Sequence, residues 1–196
     1  GDAWSVYARI DRSVRFWTVD EVFQFDPSTF QRAFTPLKPQ VSRGVELGSD
    51  YRRGDVRLHA GGYYMKLNDE IHYSPAVFSN VNLDATKRYG VELSAESRPL
   101  PRVRVKGSYN YTRSLFTRGQ FAGNNVPLVP RHTAALSLYY DVTPQVTLAA
   151  SGRYVGRRYF DNDQTNTFMQ MPDYAMLDLK ATAVLGAWRL TGTIHN

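Results

Sequence analysis

The sequence predicts an all-β protein of antiparallel strands, and three observations support this fold class. Apolar and polar residues alternate along short runs, which is the spacing of strands with two unlike faces. Aromatic residues, which favour strands, are abundant, with 13 Tyr and 10 Phe among 196 residues. The connectors between the runs alternate strictly between short and long. No stretch approaches the roughly 18 consecutive apolar residues of a transmembrane helix.

The clearest alternation lies in residues 126–159. Small and hydroxylic residues alternate with leucine, alanine and tyrosine along 133–140, and a similar alternation follows along 147–154. Residues 141–144 separate the two runs. Each run therefore predicts a strand with one apolar and one polar face, which is the pattern of a hairpin in a membrane barrel.

Seven further strands are predicted from the same alternation. They cover residues 4–10, 41–50, 56–65, 88–96, 103–112, 176–183 and 188–195. Together with the hairpin they make about nine consecutive strands.

The connectors between these strands fall into two length classes. The long ones are 11–40, 67–87, 113–130 and 157–173, and the short ones are 50–55, 97–101, 141–144 and 185–187. Antiparallel strands place alternate connectors at opposite ends of a sheet, so one end carries tight turns and the other carries long loops. Transmembrane β-barrels show this asymmetry, with short periplasmic turns and longer extracellular loops.

Charge is distributed unequally between the two predicted faces. The charged residues over the strand centres fall on one face: Arg57, Glu92, Arg104, Lys106, Arg153, Asp178 and Lys180. A Lys or Arg facing lipid at mid-membrane costs about 2–4 kcal/mol, so an uncharged opposite face favours a lipid-facing surface. Aromatic residues expected to form interfacial girdles are Tyr64, Tyr109, Tyr111, Tyr140, Tyr154 and Trp188.

The overall charge and the absence of cysteine exclude some functions. The net charge is +6, but basic residues are scattered without a run of three, so a nucleic-acid-binding patch is not indicated. The chain has no cysteine, which excludes disulfides and thiolate metal sites.

Six segments, in the same order along the chain, resemble motifs from the C-terminal part of TonB-dependent outer-membrane receptors. They are SVRFWT at 13–18 with Glu21, LKPQ at 37–40 followed by RGVELG at 43–48, RYGVEL at 88–93 preceded by Asn82, SYNYT at 108–112, VP at 126–127 with VPRH at 129–132, and YVG at 154–156. Two positions depart from the family pattern: Gln40 replaces a Glu, and Trp17 replaces a Pro.

The resemblance implies a fold and a function for residues 1–196. They would be the C-terminal portion of the β-barrel domain of a 22-stranded plugged barrel, with the plug, the early strands and the last strand outside this sequence. The protein would be an outer-membrane receptor, not an enzyme and without a cofactor, for TonB-dependent uptake of a scarce nutrient. The expected partners are a metal chelate such as a ferric siderophore, the TonB energy-transducing complex and outer-membrane lipid, and nucleic acid is not expected. Siderophore, haem, cobalamin, copper and sugar all remain open as the ligand.

Basic and aromatic residues near the long-loop end are the candidate ligand-binding residues. They are Arg88, Arg131, Arg157 and Tyr159, and the last two are expected to continue the polar-face register of Arg153. Anionic iron chelates would require such groups facing the vestibule. The alternative interpretation, which is favoured, is that these charges only solvate the barrel wall.

Other polar residues are interpreted as structural. Arg131 and His132 are expected to form a strand-entry motif rather than a ligand or catalytic pair. His59, His72 and His195 are isolated and lack metal-site spacing. Residues 161–163, Asp-Asn-Asp, lack the glycine and distal glutamate of a calcium loop, so a solvated loop is predicted.

Two other classes of function remain as alternatives. One is an outer-membrane barrel enzyme of the lipase or protease type, for which His132 and Ser137 are the available pair, although the alternation puts them on unlike faces. The other is a soluble all-β protein that binds carbohydrate or nucleic acid.

Overall fold

Nine long strands form one antiparallel sheet in the computed structural model, which describes residues 3–26, 28–74 and 77–196. The long strands are β1 (Ala3–Arg15), β4 (Gln40–Arg53), β5 (Val56–Asn68), β8 (Thr86–Leu100), β9 (Val103–Phe116), β10 (His132–Thr143), β11 (Val146–Val155), β12 (Tyr174–Leu185) and β13 (Trp188–Ile194). Pro27, Pro75 and Ala76, which belong to predicted long connectors, lie outside the described residues. The predicted all-β, antiparallel fold class is confirmed.

The strands are neighbours in the sheet in the order in which they follow one another along the chain. The order is β1-β4-β5-β8-β9-β10-β11-β12-β13, and every pairing is antiparallel. Alternate connectors therefore lie at opposite ends of the sheet. We call these the short-turn end and the long-loop end.

Two-residue loops close the hairpins at the short-turn end. In two of them the first loop residue is a glycine with positive φ, Gly54 at 53° and Gly186 at 59°, a conformation that costs little only for glycine. The other two loops are Pro-Arg at 101–102 and Pro-Gln at 144–145, and each follows a register shift in its hairpin. These turns are shorter than the sequence suggested because the strands continue almost to the reversal.

Four connectors form the long-loop end: the first (16–39), second (69–85), third (117–131) and fourth (156–173). The first contains a short helix, α1 (Val19–Val22), and a hairpin of β2 (Phe23–Asp26) and β3 (Gln31–Phe34). The second contains a hairpin of β6 (Ile71–Ser74) and β7 (Ser79–Asn82). Within the described part of the chain, no helix has the length and apolar character needed to cross a membrane.

Cross-strand register assigns each strand residue to one of two faces, because directly opposite residues point to the same side. All seven charged residues predicted to share a face do so, and we call this the polar face. Polar side chains pair across it, as in the 2.9 Å contact between the Ser137 and Ser151 hydroxyls. The other, apolar face carries all six predicted girdle residues. One expectation needs correction: basic residues also lie on the apolar face near the long-loop end, in part because several strands extend further than predicted.

The buried apolar residues cluster where the connectors meet the sheet, not at its centre. The buried set among the described residues is Val22, Leu37, Leu67, Leu115, Phe116, Val126 and Val155. Phe116 is 2% exposed, and its ring centroid lies 5.9 Å from that of Phe121 in the third connector. Both faces of the sheet centre are largely open, so packing energy is concentrated at the long-loop end.

Candidate ligand-facing site at the long-loop end

Side-chain amides join the first and second connectors. The Lys38 amide donates to Asn82 Oδ1 at 2.8 Å, and Asn82 Nδ2 donates back to the Lys38 carbonyl at 3.0 Å. In the same junction, the backbone N–H of Asn80 donates to Gln24 Oε1 at 2.5 Å. The Asn82 side chain thus satisfies the backbone N–H and carbonyl of Lys38, and the Gln24 side chain satisfies the backbone N–H of Asn80.

The third and fourth connectors are joined in the same way. The backbone N–H of Asn125 donates to Asn166 Oδ1 at 2.6 Å, and Asn166 Nδ2 donates to the backbone carbonyl of Asn125 at 2.9 Å. Asn124 Nδ2 donates to the Gln164 carbonyl at 2.9 Å. His72 links the second connector to the fourth, with Nε2 3.2 Å from Asn162 Oδ1.

A carboxylate secures the start of the first connector. Glu21 in α1 accepts a hydrogen bond from the Thr18 backbone N–H at 2.8 Å and pairs with the Arg15 guanidinium at the end of β1. The Thr18 N–H, and after it the Arg15 charge, hold the pKa of Glu21 below its usual value. Glu21 is therefore anionic at neutral pH and anchors the helix to the strand.

Arg88 lies on the polar face beneath the second connector and forms an ion pair with Glu70. Its Nη2 donates to both carboxylate oxygens of Glu70, at 2.7 and 2.9 Å. The two side chains are 25% and 22% exposed. Glu70 stands at the base of the β6–β7 hairpin, where its carbonyl also accepts from the Leu83 amide. Arg88 therefore fastens this hairpin to the sheet, and its charge is already balanced.

Arg131 is the last residue of the third connector, and His132 is the first residue of β10. Arg131 Nη2 donates to Asn125 Oδ1 at 3.1 Å, within the third connector. His132 lies on the apolar face, where its Nδ1 is 2.7 Å from the Tyr109 hydroxyl and its ring centroid is 5.3 Å from that of Tyr111. Ser137 lies on the polar face, so His132 cannot serve it as a base. These contacts favour the strand-entry interpretation of the pair.

Arg157 and Tyr159 lie beyond the end of β11 at Val155, but the register of that strand continues into the fourth connector. The bridge between Arg158 and Met171 keeps the register of the β11–β12 ladder, and the Gly156 N–H donates to the His132 carbonyl. That Arg157 and Tyr159 face the same side as Arg153 stays a prediction. The Arg157 Nε donates to Asp173 Oδ1 at 3.2 Å. The hydrogen bond from Arg157 holds the pKa of Asp173 below its usual value. The Tyr159 carbonyl accepts from the Leu128 amide at 3.0 Å, which ties the fourth connector to the third.

Asp163 corrects another expectation, because it is not part of a solvated loop. It is 1% exposed, and its carboxylate accepts hydrogen bonds from the Thr165 hydroxyl and from the Thr167 and Phe168 amides, at 2.9, 3.1 and 3.2 Å. These donors occupy the oxygen atoms that a calcium loop would turn toward the ion. Within the described ranges, no group of three His, Asp or Glu side chains could hold a metal ion.

The structure places all four candidate ligand-binding residues at the long-loop end, but it does not gather them into one pocket. Arg88, Arg131 and Arg157 are each bonded to a separate partner, and Tyr159 is held through its backbone. Sequence reasoning missed Glu70 and the amide junctions. The frequency of asparagine in the connectors was the available signal for those junctions, whereas nothing in the sequence distinguished Glu70 from other surface carboxylates.

An antiparallel sheet with two unlike faces, short turns at one end and long loops at the other has the arrangement of part of a β-barrel wall, and this is the class of protein that the fold indicates. The family model described as TonB dependent receptor-like, beta-barrel matches residues 1–196. The chain belongs to this family.

Individual relatives agree with this assignment. The chain is 32% identical, over an alignment of 208 residues, to a pesticin receptor of Yersinia enterocolitica, covering 99% of the chain and 28% of the relative. It is 30% identical over 168 residues to the ferrioxamine receptor of Yersinia enterocolitica, covering 83% of the chain and 23% of that receptor. It is 33% identical over 150 residues to the ferrichrome outer membrane transporter/phage receptor of Escherichia coli K12, covering 71% of the chain and 19% of that protein.

A solved structure shows the same arrangement of strands. The ferric yersiniabactin uptake receptor of Yersinia pestis superposes with a TM-score of 0.75 at 25% identity, covering 98% of this chain and 29% of that one. A copper transporter shares the fold at a TM-score of 0.76 and 18% identity, covering 98% of this chain and 31% of the transporter. The chain therefore spans less than a third of the length of each of these proteins.

Proposed function

We propose that residues 1–196 form the C-terminal portion of the barrel of an outer-membrane receptor that imports a ferric siderophore with energy delivered through TonB. The observation that carries this proposal is the family match over the whole chain. Its relatives include receptors or transporters named for ferrioxamine, ferrichrome and ferric yersiniabactin, and these names support an iron chelate as the ligand.

The braced connectors support a receptor role. Loops that capture a ligand at a surface must hold their binding groups in place, because ordering them during binding would cost affinity. Here the amide junctions and the Arg88–Glu70 pair provide that order over the polar face. In the intact barrel the polar face would line the interior and the apolar face would meet lipid.

The proposal is tested by growth of a strain that lacks the gene for the full-length protein. The strain is supplied with ferric hydroxamates, catecholates, phenolates or citrate, and separately with haem, cobalamin, copper or sugars. We expect the intact gene to restore growth on one class of ferric chelate, and an uncoupler of the proton-motive force to abolish uptake. Rescue only by haem, cobalamin, copper or a sugar would refute the siderophore assignment, and uptake that survives the uncoupler would refute energy coupling.

The candidate residues are tested with the chelate that the growth panel identifies. Arg131→Gln removes a cation at the long-loop end, and Arg102→Gln is the matched control at the short-turn end. A hydrogen bond to a charged ligand is worth about 1.5–3 kcal/mol, so a direct contact between Arg131 and the chelate would be seen as a rise in Kd of about 10- to 100-fold in Arg131→Gln. The control should bind like the unmodified receptor. Equal affinity of both variants would support the interpretation of these charges as wall solvation.

A further inference from the structure

The apolar face carries a row of basic residues near the long-loop end, one on each of four adjacent strands. Arg12 of β1 is directly opposite Arg43 of β4, Arg43 is opposite Lys66 of β5, and Lys66 is opposite Lys87 of β8. We call these four residues the basic row. The row was invisible in the sequence, where its members are far apart.

The basic row has no acidic partner in the part of the chain that the structure describes. Among the described residues, none of its four members has a carboxylate within 4.0 Å of its charged group. Like charges directly opposite each other on a sheet are destabilising. The polar face behaves differently, since Lys106 there pairs with Glu96 at 3.1 Å. An arrangement that repeats the same charge across three successive pairings is therefore complementary to an external anion.

Apolar side chains lie one step closer to the sheet centre on the same face. Ile10, Val45, Tyr64 and Tyr89 follow the row on the same four strands, and Ile10 is 84% exposed. A groove of about 540 Å³ runs between the two levels. Arg12, Arg43 and Lys66 line it, and the other lining residues are Ile10, Asp11, Gly44, Val45 and Tyr64. A surface with cations above exposed apolar groups matches a molecule with an anionic head and an apolar tail.

We propose that the basic row binds the phosphate groups of phosphorylated lipid headgroups in the membrane leaflet on the long-loop side. The inference rests on the proposed function in one respect, because it needs the apolar face to meet lipid. Guanidinium groups bind phosphate oxygens through paired, charge-assisted hydrogen bonds, and two of the four members are arginines. Phosphates seated between neighbouring members would relieve the repulsion along the row, while the acyl chains would contact the apolar residues below.

The test uses the full-length receptor and native mass spectrometry of lipid retained after detergent exchange. The probes are bisphosphorylated lipid A, its fully dephosphorylated form and inorganic phosphate. The variant Arg43→Gln/Lys66→Gln removes the two central charges of the row. The matched control, Arg153→Gln/Lys180→Gln, removes one arginine and one lysine from the polar face instead.

We expect the row variant, which lacks two charges, to bind bisphosphorylated lipid A about 30-fold more weakly, and the polar-face control to bind it normally. Added salt should weaken binding by the unmodified receptor and should affect the variant less. Equal retention of the phosphorylated and dephosphorylated lipids would overturn the proposal. So would equal losses in the two variants, or displacement of lipid by an equimolar amount of inorganic phosphate.

Two further measurements keep the test decisive. If the row variant does not fold, it is replaced by Arg43→Lys/Lys66→Arg, which conserves the charge. The salt dependence of lipid binding by the unmodified receptor also still reports on the row. Lipid retention that does not change with salt would then overturn the proposal. Chelate binding is measured on the same preparations and should be unchanged in the row variant. A receptor that binds phosphorylated lipid but no ferric chelate would refute the proposed function and leave the lipid site standing.

Discussion

Replacing Arg88 should loosen the second connector specifically. In Arg88→Met the long apolar stem remains, but the two bonds to Glu70 are lost and a carboxylate that is 22% exposed is left without its partner. Loss of a hydrogen bond to a charged group costs about 1.5–3 kcal/mol, and a fully buried ion pair costs about 3–5. Because both side chains retain some contact with solvent, which screens the pair, we expect about 2 kcal/mol.

The assay is amide hydrogen exchange in the full-length receptor, read over the β6–β7 hairpin. A loss of about 2 kcal/mol corresponds to exchange about 30-fold faster in that hairpin, with little change in the strands β10 to β13. Glu70→Gln and the double variant complete a cycle, in which the double variant should exchange no faster than Arg88→Met alone. Unchanged exchange in Arg88→Met, or additive effects of the two substitutions, would show that the ion pair does not hold the hairpin.

Two other predictions concern a close strand contact and an ion pair in the fourth connector. Gly90→Ala should destabilise the protein by about 1–3 kcal/mol, because the added β-carbon would collide with the Tyr111 carbonyl. Gly152→Ala is the control and should be tolerated, because the nearest atoms to its β-carbon lie 4.0 Å away. The two variants are compared by urea unfolding in lipid vesicles, and equal unfolding midpoints would contradict the packing argument. The lowered pKa of Asp173 means that its ion pair stabilises the folded connector above the ordinary carboxyl pKa, and that this stabilisation is lost as pH falls through the lowered value. Arg157→Gln should raise the pKa of Asp173 toward its ordinary value, as measured by carbon-detected NMR titration; an unchanged titration would refute the role of Arg157.

The strand faces and the sorting of connectors could be predicted because both depend on short-range pattern. Alternation has a period of two residues, so Leu136 and Ser137 are assigned to opposite faces without knowledge of any neighbour. The boundaries were less accurate. Arg12 and Lys87 were not recognised as strand residues at the rim, because charged ends of barrel strands resemble the connectors that follow them.

The candidate site was predicted only in location. Arg88 was a candidate for facing a ligand, but its partner Glu70 lies in a separate connector and came into contact with it only through folding. Asp163 was expected to be solvated, since a polar tripeptide carries no indication of which carboxylate will fold inward. Tyr159 was assigned by extending the register of Arg153 past the end of β11, and its backbone contact with Leu128 could not be predicted from that register.

By itself, the sequence determined the all-β class, the two unlike faces and the end of the sheet that carries the long loops. Only the tertiary structure decided which distant residues meet. The amide junctions join positions 44 residues apart at Lys38 and Asn82, and 41 apart at Asn125 and Asn166. The basic row likewise exists only in the paired sheet. The physical reason is that facial alternation is a property of a single strand, whereas register and loop contacts are set by pairing between separate segments.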